Sequence, residues 1–321
     1  MRESPRETVL LPQLGARPMG SLAASLTATL SIGLGGSLCL TNSLPAQCGT
    51  EWVAVAGVPG TEHWAYCSTA WDPDGPGPRT PVLILGGMFQ TAGGIRAEHI
   101  AMFDPATGSW SPLDAGLTGA STGFMATYAL LTLPNGDLVA GGNFALAGST
   151  AASNIARWDG TSWKPFGSGM NGAVSALCVA PNGDLLAGGG FTLAGGVSAQ
   201  GIARWDGASW HAFGSGTNST VTAIAVVPNG DVVAGGWFTS AGGTPANYIA
   251  RWDGAAWHAL GAGLAQTAAP PVSSLAVLPT GDLAVGGAFN FAGNLLSPCL
   301  ALWTGTSWSA FGSGADSTVD A

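Results

Sequence analysis

Charge is what this chain has least of. Asp, Glu, Lys and Arg together make up 8% of its 321 residues, against about 25% in an ordinary soluble domain. Only nine residues are Lys or Arg, too few to neutralise a run of phosphates, which argues against nucleic acid as a partner. An anionic membrane surface is disfavoured on the same ground. Cysteine is also sparse: the five present form no CxxC pair and no Cys/His cluster of the kind that binds metal. The four His residues include no HExxH and no pair at metal-ligand spacing. Disorder does not follow from the low charge, because 46% of residues are hydrophobic and 13 are Trp. With 51 Gly, the composition suits tightly turned β structure with closely packed sheets.

Residues 1–46 stand apart. Arg2, Arg6 and Arg17 precede an uncharged stretch from Met19 to about Leu40, and a small-residue segment ends at Leu44-Pro45-Ala46. This order reads as a secretory signal peptide. A retained membrane anchor is the alternative, since the apolar run is nearly long enough to span. A lipoprotein reading of Cys48 fails because Gln47 stands where a small residue is needed. Cleavage would leave six basic and sixteen acidic side chains, a net charge of −10. It would also leave Cys48, Cys67, Cys178 and Cys299, and export permits disulfides. Cys48 and Cys67 flank one short segment and could pair. Cys178 matches Ala225 of the next repeat and reads as a small buried filler.

The rest of the chain is periodic. Val174 to Gly216 reads VSALCVAPNGDLLAGGGFTLAGGVSAQGIARWDGASWHAFGSG, and the segment from Val221 repeats it closely. A Phe after a Gly pair falls at Phe89, Phe144, Phe191, Phe238 and Phe289, at intervals of 55, 47, 47 and 51 residues. A Trp falls in register at Trp110, Trp163, Trp210, Trp257 and Trp308. Each unit holds four short apolar runs. The first is apolar nearly throughout, as for a strand buried on both faces, and ends in Pro-Asn-Gly-Asp, where Asn-Gly supplies positive φ angles for a tight hairpin. The Gly pair of the second run marks a close backbone approach. The AGG segment after it reads as a loop. The third run ends in Asp-Gly, the fourth in Gly-Ser-Gly. Four strands per 40–50 residues, repeated, predict an all-β fold: a β-propeller of about five four-stranded blades, or part of a larger propeller or truncated array. The units run approximately 58–118, 119–170, 171–217, 218–264 and 265–314, within a propeller spanning 47–321. The repeated Trp residues, Trp205 and Trp210 among them, are expected to be buried between blades. Glu51 to Gly60 matches a leading fourth strand, with Trp52 in the Trp163 slot, and Asp316 to Ala321 matches the opening of a further unit. Those ends could join in one closing sheet, or the array could be longer.

The Gly188-Gly189 pair followed by Trp205 and Trp210 resembles a kelch motif. The fuller pattern GGxF…AGG…IARWDGxxW…GSG is similar to propeller repeats of bacterial secreted proteins and of fungal cortical marker proteins, over about residues 50–320. The resemblance implies a propeller and no particular reaction. Galactose oxidase is of the kelch type, but no Tyr/Cys/His copper constellation is present here; Tyr occurs only at Tyr66, Tyr128 and Tyr248. Asp159-Gly160…Trp163 resembles the Asp box of sialidase-type propellers without its spacer residue.

Candidate polar residues recur too regularly to mark one site. Asp137, Asp184, Asp231 and Asp282 close the first turns, and Asp159, Asp206 and Asp253 open the Asp-Gly turns, which turn formation explains. Arg157, Arg204 and Arg251 are expected to stack or to pair between blades. Asp72-Pro-Asp74-Gly75 lacks the further ligands of a calcium loop and reads as a Pro-rich turn. His211 and His258 share one surface-strand slot. No catalytic, cofactor-binding or metal residue is therefore assigned. The expected function is a secreted or cell-surface, non-enzymatic and monomeric binding or scaffold module, with an unknown protein or glycan ligand. A lectin, as in tachylectin-type five-bladed proteins, and a propeller hydrolase or oxidoreductase are the alternatives. The least repeated loops, Asp72–Thr80, Gly116–Gly123 and Ala265–Pro271, are the candidate binding elements, with Trp237 a candidate stacking residue.

Overall fold

The computed structural model describes residues 60–75, 77–119, 123–265 and 272–319. The signal segment, Cys48 and the leading strand at Glu51 to Pro59 lie outside the described residues. Five four-stranded antiparallel sheets follow one another, each pairing its strands in chain order. They are the expected blades. In blade three the strands are Val174–Val179, Leu185–Gly189, Ile202–Trp205 and Trp210–Ala212. The inner strands of the other four blades are Ala65–Trp71, Ala126–Thr132, Val221–Val226 and Val272–Val277. Every inner strand carries a one-residue bulge near its start, at Tyr66, Tyr128, Ser175, Thr222 and Ser273.

The Gly pair explains how blades meet. A Cβ on Gly188 would lie 2.7 Å from Val221 Cγ1 and 2.9 Å from Ile224 Cδ1 of the next blade. A Cβ on Gly189 would overlap the Ala173 carbonyl of its own blade. The first glycine thus admits the neighbouring blade and the second the neighbouring strand. Val174 packs on Gly141, Val272 on Gly235, and Val319 on Gly286 in the same way. Val319 takes this position without forming a strand.

Three expectations need correction. The AGG segment is not a plain loop. Leu193–Ala194 and Val197–Ser198 form a small antiparallel ribbon, turned by Gly195 and Gly196, both with positive φ. The ribbon clasps the chain arriving from the preceding blade: Gly195 N–H donates to Gly169 O at 2.7 Å, and Asn171 N–H donates back to Leu193 O at 3.2 Å. The first turn of each unit also differs, because of Asn-Gly only the glycine has positive φ, for example Gly183 at 90°. It is a three-residue hairpin ending in a left-handed glycine rather than a two-residue one. Finally, Cys67 does not pair with Cys48. Cys67 is a free, buried thiol directed at Thr127 O of blade two, and burial pushes its pKa up. Cys178 lies wholly buried between blades three and four.

In units two to five the two Trp differ; unit one has Phe103 in the first slot, and its Trp110 is half-buried with no partner for its indole N–H. Trp163, Trp210, Trp257 and Trp308 are buried. Their indole N–H groups donate to carbonyls of the preceding blade, at Leu113, Phe166, Phe213 and Leu260, over 2.9–3.3 Å. Trp205 is only half-buried; it stands edge-on to Phe166 at 5.6 Å and packs against Trp210 at 5.4 Å. The expectation that Trp205 is a core residue is corrected to that extent. Trp210→Ala is expected to cost about 3–5 kcal/mol, as a large-to-small core change, and Trp205→Ala clearly less. Equal or reversed losses in denaturant unfolding would contradict this packing.

His99 sits at a recurring left-handed position, with Asn154, Gly201, Tyr248 and Cys299 as its equivalents. It is 3% exposed, and neither ring nitrogen has a partner. Asn154 in the same slot donates to Met170 O. Burial lowers the His99 pKa below the usual 6.5, against the opposing charges of Glu98 and Glu62. A group with a depressed folded pKa, neutral when folded, stabilises the fold above its unfolded pKa and loses that contribution as pH falls. Stability should therefore drop as pH falls through about 6.5 and below. In His99→Asn, which copies blade two, that component should vanish from the pH–melting curve.

Candidate binding surfaces on blades one and two

The repeated polar residues are used up locally. Arg157, Arg204 and Arg251 pair with Asp137, Asp184 and Asp231 at 2.9, 2.6 and 2.5 Å. Each pair joins the third strand to the first hairpin of the same blade, so the expected inter-blade pairing is corrected. Asn182 Nδ2 donates to the same Asp184 oxygen. Asp282 lacks an Arg because Leu302 fills that position; it accepts from Thr280 instead. Asp206 Oδ1 accepts from the Ala208 and Ser209 N–H groups, and His211 Nε2 lies 2.6 Å from Asp206 Oδ2. Asp253 and His258 repeat this arrangement. The backbone donors, with the imidazole after them, hold both carboxyls below the usual range. Among the described residues no three His, Cys, Asp or Glu side chains gather where a metal ion could sit.

The candidate loops separate. Asp72–Thr80 joins the end of the first strand to the second, whereas Gly116–Gly123 and Ala265–Pro271 lead into the start of an inner strand. They therefore lie on opposite edges and cannot form one site. Residues 120–122 and 266–271 lie outside the described residues. Asp72 and Asp74 make a turn as expected: Asp74 N–H donates to Asp72 Oδ1, and Asp74 Oδ2 accepts from Arg79 N–H.

Two features that do not recur gather on the first two blades. On the strand-start edge, Tyr66 and Tyr128 occupy the bulge position and meet across the junction with ring centroids 5.7 Å apart. Trp64 stands edge-on to Tyr66 at 6.4 Å. Trp64 and Phe124 are 69% and 79% exposed. The repeat gives Ser, Thr and Ser at the other bulges, so the signal was readable once the bulge was located. Trp237, on blade four, is 47% exposed. On the opposite edge, the 72–81 insertion overhangs a cavity of about 640 Å³ between blades one and two. A smaller polar hollow of about 360 Å³, lined by Gln200, Thr217 and Asn218 among others, lies between blades three and four.

Residues 128–281 match the Rax2 family description, the Rax2 C-terminal beta propeller domain. The chain is a β-propeller repeat protein. The match covers a little under half of it. No curated protein matches the chain. Among solved structures, it is similar to the extracellular domain of a proposed one-component system from B. thetaiotaomicron, at 11% identity and a TM-score of 0.43. That match covers 69% of this chain and 26% of the other, so the chain spans about a quarter of that relative. A proposed gluconolactonase is 14% identical, with a TM-score of 0.39 and coverage of 71% of this chain and 82% of its own. YCF48 bound to D1 peptide is 14% identical, with a TM-score of 0.38 and coverage of 78% and 72%. At scores this low these likenesses carry nothing about function.

Because the Arg–Asp pairs are half-exposed structural ties, Arg204→Ala should cost about 1 kcal/mol in unfolding free energy. A loss several times larger would mean that the pair does more than brace its hairpin.

Proposed function

We propose that this propeller is a secreted or cell-surface, non-enzymatic binding or scaffold module with kelch-like repeats, acting as a monomer. One observation carries the reading. Most recurring Asp, Arg and Trp side chains are committed to bonds or packing within and between blades, while the exposed aromatic cluster and the largest insertion, which depart from the repeat, are both on blades one and two. A propeller supplies a rigid frame, and departures from its repeat are where recognition is added. Exposed aromatic groups in a cluster mark an interaction surface more readily than scattered ones.

The aromatic cluster favours a lectin as the second reading. Trp64 and Phe124 offer exposed ring faces, and Trp64 packs on Tyr66, which in turn meets Tyr128. Sugar rings stack on such faces while their hydroxyls bond to polar edges. A glycan array with the secreted protein, beside Trp64→Ala/Phe124→Ala, tests this reading. The double variant should melt like the parent, since both residues are exposed, and should lose at least tenfold in glycan signal. An unchanged array pattern would remove the cluster from recognition. Turnover on a glycoside panel would overturn the non-enzymatic reading.

A further inference from the structure

The cavity beneath the 72–81 insertion holds a feature found nowhere else among the described residues. Six basic side chains lie among the described residues. Arg96, Arg157, Lys164, Arg204 and Arg251 each pair with a carboxylate. Arg79 pairs with none. It lies exposed on the insertion and lines the cavity. In a protein of net charge −9, with most cations neutralised by a neighbour, an unpaired guanidinium at the rim of a cavity is a selective anchor for an anion.

The cavity has an identifiable cause. At the next two junctions a Phe from the preceding blade meets the half-buried Trp of the following one: Phe166 with Trp205 at 5.6 Å and Phe213 with Trp252 at 5.8 Å. At the first junction that position holds Leu113, as the fourth holds Leu260, and Trp158 is the facing indole. Only the first junction combines the smaller side chain with the insertion, whose Pro73, Pro78, Arg79 and Thr80 wall the space beside Leu113 and Trp158. Its volume lies within the roughly 300–1,000 Å³ typical of small-molecule sites.

Resting on the binding-module reading, we infer that this cavity binds a uronate sugar residue, its carboxylate on Arg79 and its ring against Trp158. The remaining lining fits a sugar. Ser109 and Ser111 provide hydroxyls, and Asp104 provides a carboxylate that can accept from sugar hydroxyl groups. A planar guanidinium matches a carboxylate through two parallel hydrogen bonds. A phosphate dianion would call for more than one cation, and Arg79 is the single basic residue lining the cavity. A fatty acid would leave the hydroxyls and Asp104 unused.

The test uses the secreted chain at low ionic strength, where a single ion pair is least screened. Glucuronate, glucose and oligogalacturonate are titrated by calorimetry and by tryptophan fluorescence. Glucuronate should bind saturably and glucose at least tenfold more weakly. Oligogalacturonate binding as well as the monomer or better identifies a polymer as the source; binding of the monomer alone identifies the free acid. Arg79→Gln should lose at least tenfold in affinity and Arg79→Lys less. Leu113→Phe, which restores the ring used at the next two junctions, should abolish binding while keeping or raising the melting temperature. The inference is overturned if glucuronate does not bind, if glucose binds equally, or if Arg79→Gln binds like the parent. Binding of a C-terminal peptide carboxylate in preference to glucuronate also overturns it. A glycan or protein ligand lost in the Trp64/Phe124 variant would then leave the binding-module reading standing on the other edge.

Discussion

Where one blade meets the next, the first valine of an inner strand, or Val319 beyond the last blade, occupies the space that a Cβ would need on a glycine in the preceding blade. Val174 fills it at Gly141, Val221 at Gly188, Val272 at Gly235 and Val319 at Gly286. Any side chain at those glycines would push the sheets apart. The close approach also brings each buried Trp indole within reach of a carbonyl on the preceding blade. It sets the AGG ribbon against the incoming chain, where Gly169 O accepts from Gly195. Packing and hydrogen bonding at the junction thus share one steric requirement. They recur because the requirement recurs.

Chemistry sits where the repeat relaxes. At the first junction Leu113 stands in for Phe, Thr127 for Val and Tyr128 for Ser or Thr, and a ten-residue insertion replaces a short turn. The inner glycine of blade one, Gly86, faces Thr127 and Cys67 rather than a valine. Thr127 in turn donates to the carbonyl of His99, the buried imidazole whose nitrogens lack partners. These changes are neighbours. They make the first junction less regularly packed than the later ones, and it carries both the aromatic cluster and the cavity. A rigid array in which the first junction departs furthest separates stability from recognition, since the more regular junctions can hold the fold while the first one varies.

Much of this was legible in the residues. The Phe and Trp registers gave the blade count, the Gly pair announced a close approach, and the regular recurrence of Asp and Arg argued against their forming one site. These features are local or repeat with the chain, so one dimension records them. The AGG ribbon was missed although its two glycines suit a short hairpin, because its partner is the chain entering from the blade before. The destination of the Arg side chains was likewise hidden. A strand sequence does not state whether its third strand reaches its own hairpin or a neighbour's, and only the register of the sheet decides this.

Sequence by itself determined a repeated four-stranded unit, its turns, and the list of residues that break the pattern. It could not say which of those departures meet in space. The insertion and the connecting loops looked alike as candidates, yet antiparallel strands send them to opposite edges. Leu113 and Trp158 are 45 residues apart and face one another only because blades pack side by side. The smaller side chain, the overhang and the unpaired Arg79 become a single cavity through that packing, since volume and charge pairing are properties of neighbours in space rather than along the chain.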